Sequence, residues 1–494
     1  MLSVILLVTI KDFYMLKNLH KNDRLLEVLF VIFCFAFYFI WSLNNFYDAS
    51  LPLSSPPDEA MRYKVIKYIF EFKRLPHGLS KEVVEPAFGY SYAFFPTFLP
   101  ACLSSLFMFI ANMFSSDEFM LLIAARMTSV ISGAAAIWFF LRGLDLLFSK
   151  KTKWICAVML AMLPQYAYMS TYVNNDILCV CGSAVILYGW IRVLKTSWSV
   201  RNTLTVGAGI VIIALTYYNG YGWILLSIIL FFTSFYMNRN AEGWSAVIMK
   251  KRLLLIVLFV FAFTGFFFIR NIILYNGDML GLHSMMEAGK NYAMEELKPE
   301  NRHTPNNLGI SLFEMLFTPT ILSTSWLVAS FYSFIAAFGA LQYFLKMRYY
   351  KLYLLIFVIC LTAFFIGLIR LVIKRNRLKK DKEAGDIPLK QSSELLLRIL
   401  LIFAFAIPFC LSVYYSYFMD YQSQGRYLYP GIAAFITILG FGTESIFELL
   451  KFIFRKKAAA AEVVLTALSV LFVILNIIFT IYVYLDVFIR SYYG

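Results

Sequence analysis

Charge is scarce in this 494-residue chain: Asp, Glu, Lys and Arg make up 15% of it, against 61% apolar residues. Soluble domains carry roughly 45–50% apolar residues, so the balance excludes an ordinary soluble globular protein. Several chemical signatures are missing as well. There is no GxxxxGK[ST] phosphate loop, no GxGxxG after a strand, no GxSxG elbow and no HExxH pair. The longest non-apolar segments reach only roughly 40–50 residues, too little for a separate soluble catalytic domain. A nucleotide-using enzyme is disfavoured, and any chemistry uses a donor already in the membrane.

Cysteine adds no framework. The seven residues Cys34, Cys102, Cys156, Cys179, Cys181, Cys360 and Cys410 lie in or beside apolar runs, without CxxC or Cys/His metal spacing. They read as small buried hydrophobes rather than disulfide partners.

What the chain has is long apolar runs: 25–47, 203–218, 221–237, 252–269, 351–373, 396–416, 430–450 and 462–486. Each is near the roughly 20 residues that cross a hydrocarbon core as a helix. None shows the alternation of a barrel strand, so the fold class expected is an all-α polytopic membrane protein. The 50 Phe and 32 Tyr supply interfacial belts. MLSVILLVTI at the start is too short to span and lacks the flanks of a cleaved signal peptide, so 25–47 is expected to be an uncleaved first span. Residues 1–24 read as a cytoplasmic segment, 25–450 as the main transmembrane domain, and 451–494 as a basic link with a final helix.

The net charge of +15 sits in short links between apolar runs, which argues for cytoplasmic loops rather than nucleic acid. Lys11, Lys17, Lys21 and Arg24 place the amino-terminal segment inside. The links 142–153, 195–201, 239–252, 374–390 and 451–457 should also be inside. That holds if one run in 91–141 and one in 310–346 lie in the outer interface or re-enter. The expectation is a bundle of about 11 spans plus two partly inserted segments, with 13 as the alternative. The polar clusters at 48–90, 172–176, 219–222, 270–320 and 417–426 then share the outer face.

The first of these contains SSPPDEAMRY, residues 54–63. Ser55 suits an N-cap, Pro56 a first helical turn, and Asp58 a capping-box position. The following helix places Tyr63, Ile66, Ile69 and Phe70 on one face, as an interfacial helix would. It stops at Leu75-Pro76-His77-Gly78. Arg62 is spaced to pair with Asp58 or Glu59. Thus Asp58 is either a cap, half of a salt bridge, or a working carboxylate. Asp176, after Tyr172-Val173-Asn174-Asn175, has the same choice between capping and chemistry. Arg270 and Arg426 lie on the side where positive residues are sparse, and Gly425 lets the backbone come close beside Arg426. Tyr90 and Tyr92 read as interfacial anchors or sugar platforms.

PPDE at 56–59, Arg126-Met127-Thr128-Ser129, Asn175-Asp176, Arg270-Asn271, Ser330-Phe331-Tyr332 and QGRYLYP at 424–430 follow in order. In that order the chain resembles a bacterial membrane-protein family allied to the GT-C glycosyltransferases, the class that includes protein O-mannosyltransferases and the lipid A aminoarabinose transferase. The likeness runs over about residues 25–450. Two places depart from it: Ala60-Met61-Arg62-Tyr63 stands where Pro-Ala-His is usual, and Phe95-Pro96-Thr97 replaces Tyr-Pro-Pro.

The resemblance implies a GT-C-like bundle at the bacterial cytoplasmic membrane, with its active site on the outer face. It implies one inverting transfer of a sugar from a polyprenyl-phosphate donor to a glycan, lipid or protein acceptor. By the same resemblance Asp58, Glu59 and Asp176 are the catalytic candidates. Arg62, Arg74, His77, Arg270 and Arg426 would serve the lipid phosphate, and Tyr90, Tyr92, Gln424 and Tyr427 the sugar or acceptor. No cofactor is certain, and a divalent cation is a possible addition. The competing reading is a lipid-linked saccharide flippase, polymerase-like protein or secondary transporter without transferase chemistry. The gathering of polar groups at one face, not at the midplane, and the lack of an internal repeat favour the transferase.

Overall fold

Apolar runs in lipid must bond their own backbone groups, and this chain does so with helices almost throughout. The computed structural model describes residues 21–45, 56–95, 98–239, 241, 243–339, 341–380 and 387–490. Ser55, Pro96 and Thr97 lie outside them. In chain order the first helices are α1 (Lys21–Leu43), α2 (Glu59–Phe72), α3 (Phe98–Asn112), α4 (Glu118–Leu147), α5 (Lys150–Ala161) and α6 (Pro164–Met169). Next come α7 (Asp176–Lys195), α8 (Val200–Ala214), α9 (Tyr221–Met237), α10 (Ala246–Leu274), α11 (Leu282–Tyr292) and α12 (Leu312–Phe317). The series ends with α13 (Trp326–Ile335), α14 (Met347–Lys380), α15 (Ile387–Phe418), α16 (Ile432–Ile453) and α17 (Ala458–Tyr482). A two-residue hairpin, Ala337–Phe338 against Tyr343–Phe344, is the only sheet among the described residues.

Nine helices among the described residues are long and apolar enough to cross a membrane. The protein is therefore a multi-pass, all-α membrane protein. Charge counting predicts about 11 spans, and the difference has a local cause. α8 has 15 residues, and the run 150–169 is divided into α5 and α6 where Leu163 stays extended before Pro164. The two regions expected to hold partly inserted segments carry the short apolar helices α3, of 15 residues, and α13, of 10.

α7 forms the centre, with 89% of its apolar window buried, whereas α10 and α17 bury 17% of theirs and turn Leu254, Val257, Leu258, Val464 and Leu468 outward. α4 packs on one side of α7 and α8 on the other. The α7–α8 contact is a backbone approach. A Cβ on Gly209 would stand 2.8 Å from the Gly182 carbonyl oxygen and 3.0 Å from the Ile186 nitrogen. Small residues drive helix association in lipid, where no hydrophobic gain separates helix from solvent.

Ion pairs tie the opposite end together. Lys153 Nζ donates to Glu27 at 2.7 Å and to Asp145 at 2.8 Å, and Arg142 Nη1 donates to Glu27 at 3.1 Å. The link 142–153 thus meets the start of α1.

α2 differs from the interfacial helix expected. Met61, Val65 and Tyr68 are buried along with Tyr63, Ile66 and Ile69, so protein covers more than one face. Ser105 on α3 donates to the Ile66 carbonyl at 2.9 Å. Only the last turn, through Arg74, is exposed.

Candidate active site

Asp58 enters α2 in a left-handed conformation, φ 61° and ψ 1°. Aspartate tolerates this region better than most residues, yet such an outlier persists only where its surroundings hold it. Its side chain makes no capping hydrogen bond. Instead Oδ2 accepts from Arg426 Nη2 at 2.6 Å and lies 4.0 Å from Arg62 Nη2. Burial by itself pushes this carboxyl up. The Arg426 and Arg62 guanidinium groups, with hydrogen bonds from Arg426 and Tyr92, outweigh burial and hold it below the usual carboxylate range.

Glu59 has a different task. Fully buried, it receives Arg126 Nε at 2.8 Å and Nη2 at 2.6 Å, and Oε1 also accepts from Val173 N at 2.8 Å. Arg126 Nη1 donates to the carbonyls of Ser42 at 2.7 Å and Asn45 at 3.0 Å. This fork joins the start of α2, the end of α1 and the turn before α7. Both Glu59 oxygens accept from donors of the fold itself, an arrangement that braces these three segments.

Asp176 opens α7 and is buried, but Asn174 Oδ1 supplies the cap by accepting from Ile177 N at 3.0 Å. Asp176 Oδ1 has no hydrogen-bond partner among the described residues. Its charge acts on both Arg62 and Arg426. The Tyr172 hydroxyl, also buried and without a partner among the described residues, lies in the same field.

The two arginines are underused in the same way. Nε and Nη1 of Arg62, and Nε and Nη1 of Arg426, are buried without hydrogen-bond partners among the described residues. Arg62 stacks over the Tyr92 ring at 4.5 Å. Arg62 also lines a cavity of about 10 Å³ together with Val65, Ile66, Pro100, Val173 and Asn175. Arg426 Nη2 also donates to the Tyr427 hydroxyl at 3.1 Å. Tyr427 donates in turn to Gln422, whose Nε2 reaches Asp420 at 2.5 Å. Burial lifts the Asp420 carboxyl above its usual range.

Arg426 owes its position to Gly425. A Cβ there would lie 2.2 Å from Phe334 N and 2.3 Å from the Ser330 carbonyl oxygen, and Gly425 N donates to Ser333 Oγ at 2.7 Å. Gln424 takes part through its backbone, accepting from Tyr427 N at 3.3 Å.

Other expected residues stand elsewhere. Arg270 Nη2 donates to the Pro76 carbonyl at 2.7 Å, beside His77 and Tyr275. That cluster follows the end of α2 and packs on Phe94, two residues along the chain from the Tyr92 ring that lies under Arg62. Burial and then Arg270 depress the His77 imidazole. Arg74 is exposed and stacks over Phe72. Among the described residues Asp58 forms ion pairs with Arg62 and Arg426, and not with Arg74, His77 or Arg270. Tyr90 bridges to Glu85 and packs beside Phe88 and Phe95.

The segment 276–310 crosses from the first loop to the last. Met294 N donates to the Ala87 carbonyl at 3.1 Å, Asn306 N to Tyr417 at 3.2 Å, and Arg302 Nη1 to Met419 at 3.4 Å. Among the described residues no three His, Cys, Asp or Glu side chains gather in a way that could hold a metal ion. Sequence reading missed Tyr172, Asp420 and Gln422. The signal for the last two was their nearness to Arg426 in the chain.

No protein-family model matches the sequence, and comparison with curated proteins gives no match. Among solved structures the chain is similar to the archaeal oligosaccharyltransferase AglB from Archaeoglobus fulgidus, in complex with an inhibitory peptide and a dolichol-phosphate, with 14% identity and a TM-score of 0.44. The match covers 92% of this chain and 55% of that one, so the chain spans little more than half its length.

Proposed function

We propose that this protein is a membrane glycosyltransferase that moves a sugar from a polyprenyl-phosphate donor to an acceptor hydroxyl. The observation that carries the reading is the pair of buried guanidinium groups, Arg62 and Arg426, which flank Asp58 with Nε and Nη1 of each unpartnered among the described residues. Buried donors of this strength are costly without an acceptor. A phosphate diester satisfies planar, forked N–H groups well.

A mechanism follows from the competition for Arg426. In the free protein Arg426 holds Asp58 ionised. An arriving phosphate draws the guanidinium toward itself and adds negative charge nearby. Burial then dominates at Asp58, and its proton affinity rises toward that of a useful base. Asp58 accepts the acceptor hydroxyl proton as the oxygen bonds to the anomeric carbon. On the opposite side the carbon–oxygen bond to phosphate breaks, and its electron pair leaves with polyprenyl phosphate. Arg62 and Arg426 stabilise the charge that grows there. One displacement inverts the anomeric centre.

In this reading Asp176 orients the acceptor or shares the proton, and segment 276–310 shapes the acceptor side. The site lies on the outer face of the cytoplasmic membrane, and the two arginines take the role that a divalent cation would otherwise have. The order of motifs shared with the GT-C-allied family agrees with it. The test is to supply purified protein with polyprenyl-phosphate sugars and membrane acceptors and to follow release of polyprenyl phosphate. Binding of the donor without release would favour transport.

A further inference from the structure

Hydroxyls inside these helices follow a consistent habit. Ser132, Thr205, Ser333, Thr437 and Ser469 each donate to the carbonyl four residues earlier. Such back-bonding is how Ser and Thr are satisfied away from water. Three buried indoles are satisfied in the same way, Trp190 donating to Ser227, Trp198 to Ser234 and Trp223 to the Pro430 carbonyl, whereas that of Trp41, on α1, has no partner among the described residues.

Beside Arg426 the habit breaks. Trp326 Nε1, Ser330 Oγ and Ser412 Oγ have no partner among the described residues, although these residues are only 0%, 3% and 4% exposed. They converge on one wedge. Trp326 and Ser330 are one turn apart on α13, and the Ser330 carbonyl abuts Gly425. The Trp326 ring meets Phe409 of α15 edge-on at 6.0 Å. Ser412 follows Phe409 by three residues on the same stripe, and the next member, Ser416, donates to the Gln422 carbonyl at 2.9 Å. Ser423, buried, closes the wedge with its hydroxyl beside that of Tyr421. None of these groups is charged. The niche therefore holds hydroxyls and one N–H donor, and it meets the chain at Gly425, the residue before the Arg426 that pairs with Asp58.

We propose that this wedge receives the uncharged, hydroxyl-rich ring of the transferred sugar, an inference that rests on the transferase reading. Ser330 and Ser412 exchange hydrogen bonds with ring hydroxyls, and the Trp326 N–H donates to another. The non-helical stretch 420–424 forms the wall through which the ring enters. A site built to bond hydroxyls discriminates strongly against a ligand that lacks them.

The experiment measures binding of the full chain in nanodiscs to bare undecaprenyl phosphate and to undecaprenyl-phosphate glucose, mannose and galactose. Wild type should prefer one sugar-bearing lipid over the bare one. Ser330→Ala, Ser412→Ala and Trp326→Phe should each weaken that lipid by about three- to tenfold and leave bare undecaprenyl phosphate unchanged. An unchanged preference in all three variants would mean that the niche holds ordered water only, and equal losses for both lipids would mean a packing role; either overturns the inference and leaves the transferase reading standing. If wild type binds no undecaprenyl phosphate at all, the transferase reading fails, and this inference with it.

Discussion

Asp58 and Glu59 are neighbours in sequence, yet their carboxylates belong to different ion pairs. Asp58 meets Arg426 at 2.6 Å at the edge of a pair of underused guanidinium groups, while Glu59 is enclosed by Arg126 at 2.6 and 2.8 Å. The left-handed backbone of Asp58 turns the two side chains into separate surroundings.

Glu59→Gln should damage folding before it damages chemistry. It leaves Arg126 buried without its counter-charge, a loss of about 3–5 kcal/mol in comparable sites. Thermal melting in detergent should fall markedly, and whatever protein remains folded should still bind polyprenyl phosphate.

Arg426→Lys should preserve a positive charge but lose the fork that a phosphate needs. Donor KM should rise by roughly ten- to a hundredfold, from loss of charged hydrogen bonds worth about 1.5–3 kcal/mol. Arg74→Ala, on the exposed end of α2, should leave donor KM unchanged in the same assay.

The Asp58 carboxyl is held below its ordinary value of 3.8. A depressed carboxyl stabilises the fold fully above its unfolded value and loses that contribution as pH falls through its folded one. Melting temperature should therefore show no Asp58-dependent change between about pH 8 and 5. Below about pH 4 wild type should lose stability that Asp58→Asn does not. Similarly, kcat/KM should show no acidic limb from Asp58 near neutrality, whereas the limb in kcat should move upward once phosphate occupies Arg426.

Gly425→Ala should misplace Arg426 without touching the ligand. Its Cβ would collide with backbone atoms of α13 at 2.2 and 2.3 Å, and backbone does not yield as a flexible side chain would. A cost of about 1–3 kcal/mol in stability is expected, together with weaker donor binding.

Much of this arrangement was legible in the sequence. Apolar run lengths point to the helices, and Lys and Arg placement leads to the expectation that Asp58, Asp176 and Arg426 share one side; the structure brings these three charges close enough to act on one another. What stayed hidden depended on distance through space. Nothing near Glu59 announces Arg126, which is 67 positions away. Arg270 was expected on the same side as Arg426, but its guanidinium is spent on the Pro76 carbonyl past the end of α2, a contact that no spacing in the chain announces. Capping logic pointed to Asp58 and Asp176 equally, and only the structure shows Asn174 doing that work for α7.

The most direct measurement compares wild type with Asp58→Asn for release of polyprenyl phosphate from a lipid-linked sugar, with binding of bare polyprenyl phosphate followed in parallel. Loss of a general base should lower turnover by roughly 10²–10⁴-fold. Phosphate binding should hold or tighten, because Arg426 no longer shares itself with a carboxylate. Turnover at the wild-type rate in Asp58→Asn would contradict the account.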